Sequence, residues 1–110
     1  MVALFDSNSS VFVELWVSLA SLLRSYTAAH GLNRSQQATV ELGEDRITVR
    51  CGNAWMNLER AGSQIHWERN DGRTGMLELT EAGRLRSGEG EEEEMDLAAE
   101  AWARELMHAE

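Results

Sequence analysis

Few residues in this chain have a spacing that could do chemistry. The most conspicuous are four consecutive glutamates, Glu91 to Glu94, a single cysteine, Cys51, and three histidines, His30, His66 and His108. Carboxylate oxygens suit hard cations, which makes Glu91, Glu92, Glu93 and Glu94 the only metal candidates. Consecutive carboxylates point in several directions, however, and these match no calcium loop. At the start of a helix they complement the positive end of the helix dipole, and that is their expected role. Cys51 and the histidines fall into no zinc spacing. Cys51 alternates with Val49 and Ile47, which turns it inward as a small hydrophobe. Without a glycine-rich phosphate loop or a serine nucleophile elbow, no catalytic residue and no cofactor is implied.

The residues suited to contact rather than catalysis are Arg50, Trp55, Asn57, Gln64, His66 and Met76, with Glu68 and Glu78 beside them. Tryptophan, methionine and arginine are enriched in protein interfaces. Their period places them together only if they share one face of a sheet, so the elements that would carry them come next.

Ser9 and Ser10 are placed to cap a helix in which Phe12, Trp16, Leu19, Leu23 and Tyr26 recur at spacings of three and four. His30 and Gly31 supply its stop. Its polar stripe, Glu14, Ser18, Ser21 and Ser25, is narrow, with Val11, Val13, Val17 and Ala20 on the flanks. Such a helix is either embraced by the sheet or shared with another chain.

After a polar linker at Asn33 to Gln37 the period falls to two. Ala38, Val40 and Leu42 form one strand, and Ile47, Val49 and Cys51 the inward side of the next. Gly52-Asn53 is a two-residue hairpin signal with glycine first, as a type II′ turn requires. It pairs Cys51 with Ala54, Val49 with Met56 and Ile47 with Leu58 inside, and Arg50 with Trp55, Thr48 with Asn57 and Arg46 with Glu59 outside. A one-residue slip would mix the two sets. A turn around Ala61 and Gly62 then sets Leu58 opposite Ile65, Met56 opposite Trp67 and Asn57 opposite His66. The three-residue loop Asn70-Asp71-Gly72 sets Ile65 opposite Leu77 and His66 beside Met76.

A short strand near Arg84 to Arg86 follows. Gly88-Glu89-Gly90 breaks the chain, and a second helix is marked by Met95, Ala98, Ala99, Trp102 and Leu106. The expected fold is α+β, an antiparallel meander of five or six strands flanked by N- and C-terminal helices as a two-layer sandwich, in one domain over residues 1–110.

A net charge of −9 opposes condensation onto nucleic acid or anionic lipid. The apolar run Val11 to Leu23 is too short and too interrupted to span a bilayer, and no basic segment precedes it as in a signal peptide. The unpaired Cys51 fits a reducing compartment, so a cytoplasmic location is expected.

The element order and acidity resemble frataxin, the small acidic protein of iron–sulfur cluster assembly. In that family a strand asparagine precedes by seven residues a glutamine that opens a Gln-x-Trp-Leu strand, and here Asn57 and Gln64-Ile65-His66-Trp67 keep the spacing. His66 stands where the family has tryptophan and Trp67 where it has leucine. The first helix has only Glu14 where frataxins carry an acidic ridge. The resemblance implies metal or cluster handling. Type III secretion chaperones are likewise small acidic α+β proteins that dimerise through apolar surfaces. The reading from the residues themselves is a non-enzymatic interaction or adaptor module that uses the exposed sheet face for a protein partner, with self-association through the first helix.

Overall fold

A computed structural model describes residues 2–31 and 37–108. The order is α1 (Val2–His30), β1 (Thr39–Leu42), β2 (Arg46–Cys51), β3 (Ala54–Ala61), β4 (Gln64–Arg69), β5 (Thr74–Leu79), β6 (Arg84–Ser87), β7 (Glu92–Glu94) and α2 (Met95–Met107). All seven strands form one sheet in sequence order, each antiparallel to its neighbour. Among the described residues no helix is long and apolar enough to cross a membrane.

The α+β class and the antiparallel meander agree with expectation, whereas the strands among the described residues number seven rather than five or six. Each interval of a twisted sheet adds roughly 20–25°, and over seven strands the sheet curls rather than lying as a flat layer. The helices do not flank it on two sides. Trp16, Leu19, Ala20 and Leu23 of α1 and Met95, Ala98, Ala99 and Leu106 of α2 join one core with Ile47, Val49, Met56, Leu58, Ile65, Leu79 and Leu85. Both helices therefore lie on the inner, concave face.

The seventh strand is the acidic run. A three-residue loop with Gly90 at φ 90° turns β6 into β7, and the Ser87 N–H donates to the Glu91 carbonyl at 2.8 Å. Glutamate has little strand propensity, so pairing with β6 makes this strand and local preference does not. The expected role of Glu91 to Glu94 at a helix start is thus corrected. Helix α2 begins only at Met95, Glu94 makes no side-chain cap bond, and Asp96 is the one acidic residue of the first turn.

Helix α1 is also longer than its apparent cap implies, because the backbone is already helical from Val2 and runs through Ser9 and Ser10. Serine caps a helix only where the chain enters from an extended conformation. The linker expected at Asn33 to Gln37 lies outside the described residues except for Gln37.

All six expected pairs between β2 and β3 are present. The next register differs by two residues, since Leu58 faces Trp67, Met56 faces Arg69, and His66 faces Glu59 rather than Asn57. The turn is Gly62-Ser63, with Gly62 at φ 64°. Glycine is again the first central residue, the position where a type II′ turn needs positive φ. A shift of two keeps every side chain on its face. Two arginines share the inner face. Arg60 lies 5.9 Å from the Trp16 ring centre and donates to the Gly62 carbonyl at 2.9 Å. Arg69, 7% exposed, pairs with Glu105 of α2 and ties that helix to the sheet.

The two helices are joined by Tyr26, which donates to the Asp96 carboxylate, and by His30, 2.9 Å from Glu100. The hydrogen bond to Asp96, then desolvation and the Asp96 and Glu100 charges, push the Tyr26 hydroxyl above the usual tyrosine range. A raised folded-state pKa contributes stability that is complete below the unfolded value and is lost as pH rises through the folded one. Melting curves at increasing alkaline pH should therefore show the wild type losing stability faster than Tyr26→Phe. Parallel losses in the two proteins would mean that this bond does not form.

Candidate functional site: two faces of the curled sheet

The residues expected to contact a partner do lie on one face, the convex one, which neither helix covers. Alternation puts Arg50, Trp55, Asn57, Gln64, His66 and Met76 there, with Arg50 opposite Trp55 and His66 opposite Met76. They do not make one patch. Trp55 sits near the β2–β3 turn, half-buried, while Met76, 51% exposed, lies two strands away and four residues along. At about 4.8 Å per strand and 3.3 Å per residue, that is a separation of roughly 16 Å.

Polar pairs flank both. Thr48 donates to the Asn57 side chain at 2.8 Å, which fixes Asn57 rather than offering it to a ligand. Arg46 bonds Glu59, and that bond holds the Glu59 carboxyl below the usual carboxylate range. Arg86 bonds Glu78, which raises the guanidinium further above its already high value. Gln64 and His66 are exposed. The convex face carries the ion pairs Arg46–Glu59 and Arg86–Glu78, with Trp55 and Met76 as two separated apolar side chains.

A more continuous apolar surface lies on the concave face, where α2 leaves part of the sheet open. A groove of about 840 Å³ runs between α2 and strands β4 to β7, with Trp67, Leu77 and Leu85 on the sheet side and Leu97, Ala98 and Trp102 on the helix side. Leu97 is 57% exposed, whereas Trp67, Leu77 and Trp102 are half-buried. Trp67 stands opposite Gly75, and a Cβ built at Gly75 would fall 2.5 Å from Cε2 and Nε1 of the Trp67 indole. The indole therefore lies directly on the glycine, which fixes one wall of the groove.

This contact gives a simple expectation. Gly75→Ala forces the indole off its seat, an overpacking change expected to cost about 1–3 kcal/mol in urea unfolding and to shift Trp67 emission. An unchanged unfolding midpoint and spectrum would place Trp67 elsewhere.

Strand geometry divides the acidic run. Leu85 pairs with Glu93, and Ser87 bonds Glu91, so Glu91 and Glu93 share the concave face with Leu85 and Leu77. Glu92 and Glu94 point to the convex side, where Glu92 lies 3.9 Å from Arg84 and 3.8 Å from Arg86. Among the described residues no three His, Cys, Asp or Glu side chains gather as metal ligands. Cys51 is buried opposite Ala54, and His30 and His108 meet edge to face at 5.6 Å at the ends of the two helices.

Sequence reasoning placed Trp67 and Trp102 in the core and passed over Leu97 altogether. Leu97 falls outside the apolar offsets of α2, and that large apolar residue off the stripe was the available signal. No family model, curated protein or solved structure matches this chain, so a functional reading has to stand on the chemistry of these two faces.

Proposed function

We propose that this protein is a non-enzymatic protein-interaction module that holds a segment of a partner in the groove between α2 and strands β4 to β7. What supports the reading is a single observation: Trp67, Leu77, Leu97 and Trp102 border one groove and all remain partly exposed. Monomeric proteins rarely leave contiguous apolar surface uncovered, and tryptophan is the residue most enriched among binding hot spots. The convex face, with Trp55 and Met76 far apart among ion pairs, fits a docking role less well. An iron-handling role of the frataxin type has less support, because alternation splits Glu91 to Glu94 between two faces. The lone, buried Cys51 favours a reducing compartment, and we place the module in the cytoplasm.

Site-specific photo-crosslinking tests this reading. A benzophenone side chain at position 97 should give a discrete adduct in extract of the native cells, abolished by Trp102→Ala. The same group at position 76 should give none. Adducts from position 76 alone would return the docking site to the convex face.

A further inference from the structure

We infer that the groove selects a cationic amphipathic segment, one apolar anchor with lysine or arginine within about two residues of it, in extended conformation. The inference rests on the docking reading above and adds the chemistry of the occupant.

The charge around the groove carries it. Glu91 to Glu94 border the groove, with the carboxylates of Glu91 and Glu93 on its face and those of Glu92 and Glu94, like the Arg84 guanidinium, on the convex side. That guanidinium faces Glu92 and pairs in register with Glu94. Glu91 and Glu93, on the concave face, take part in none of the ion pairs among the described residues. Most arginines elsewhere are committed: Arg46 to Glu59, Arg60 to Asp45, Arg69 to Glu105, Arg73 to Asp71 and Arg86 to Glu78. The groove is thus apolar at its floor and anionic along one lip, within a chain of net charge −9. An acidic or neutral segment would leave that lip unanswered or repelled, whereas a cationic one complements it.

Dimensions set the rest. Four strands, β4 to β7, span roughly 14 Å, which an extended chain covers with about four residues. Glu91 and Glu93 are two residues apart on the outermost strand, roughly 6.6 Å, so a cation carried to that edge has both carboxylates within reach. One apolar side chain between Trp67 and Trp102 with a cation two positions away meets both surfaces at once.

Selection from a random dodecapeptide library displayed on phage, with the intact protein as bait, tests the proposal. Enriched peptides should carry an aromatic or aliphatic anchor with Lys or Arg within two positions. The affinity of a synthetic copy should fall roughly three- to tenfold in the Glu91→Gln/Glu93→Gln double variant, as expected for exposed charge pairs, and also at raised salt. Glu91→Lys/Glu93→Lys should reverse the preference toward acidic peptides. Three results overturn the inference. If enriched peptides have apolar anchors but no excess of cations, and still need Leu97, charge selection fails while groove docking stands. If the Gln variant binds the cationic peptide unchanged, charge selection fails in the same way. If no enriched peptide depends on Leu97 or Trp102, the docking reading falls with it.

Discussion

Trp16→Ala will destabilise the protein by about 3–5 kcal/mol in urea unfolding, the range for a buried tryptophan reduced to alanine. Trp16 is 1% exposed at the middle of α1, packed in the core that α1 shares with the sheet and α2. Its ring also faces the Arg60 guanidinium at 5.9 Å, a cation–π contact that alanine cannot make. A domain of this size is stable by about 5–15 kcal/mol in total, so the variant will be close to its folding threshold. Trp16→Phe should cost far less. The Trp16 indole N–H is buried without a partner among the described residues, and phenylalanine removes that donor while keeping most of the ring. Trp55→Ala, on the convex face and half-buried, should fall well below Trp16→Ala. Equal losses at positions 16 and 55 would contradict the division of the sheet into two faces.

The second large effect concerns binding. Trp102→Ala should weaken the partner complex by about 2–4 kcal/mol, roughly 30- to 1,000-fold, as for a tryptophan hot spot. Leu97→Glu should do comparable damage, because it adds a third carboxylate to the groove beside Glu91 and Glu93 and removes its most exposed apolar side chain. The two differ in what they cost the fold. Leu97 is 57% exposed, and a surface change of this kind usually stays within about 0.5 kcal/mol. Trp102 is half-buried and packs against the core, so its truncation will cost some stability as well. Loss of binding in the folded Leu97→Glu protein therefore assigns the effect to the groove. Retained binding there would remove α2 from the interface.

The parts legible from sequence were those set by local chemistry. The Gly52-Asn53 turn and the alternation on both sides of it determine the whole β2–β3 register, because any odd slip would bury Arg50 or expose Val49. The loop Asn70-Asp71-Gly72 did the same for His66 and Met76. At Gly62 the turn could be placed in two ways that differ by two residues, and both preserve the faces, so alternation could not choose between them. Arg60 and Arg69 have the parity of Leu58 and Trp67 and fall on the inner face in either register.

Strand β7 was illegible for a stronger reason. Glu92–Glu94 has nothing in its composition that favours a strand, and pairing with β6 is a tertiary event that overrides propensity. The candidate site followed from that error. With Glu91 and Glu93 assigned to a helix start, nothing connected them to Trp67 and Leu77. Nor does a period of two reveal how much of a concave face a short helix covers. The 13 residues of α2 are too few to close the open half of a seven-stranded sheet.

Indole N–H resonances give the most direct test, because the four tryptophans sample the core, both walls of the groove and the convex face. During titration with a groove-selected peptide, Trp67 and Trp102 are expected to shift while Trp16 and Trp55 stay in place. Shifts at Trp55 together with His66 and Met76, with Trp67 and Trp102 unmoved, would contradict docking in the groove.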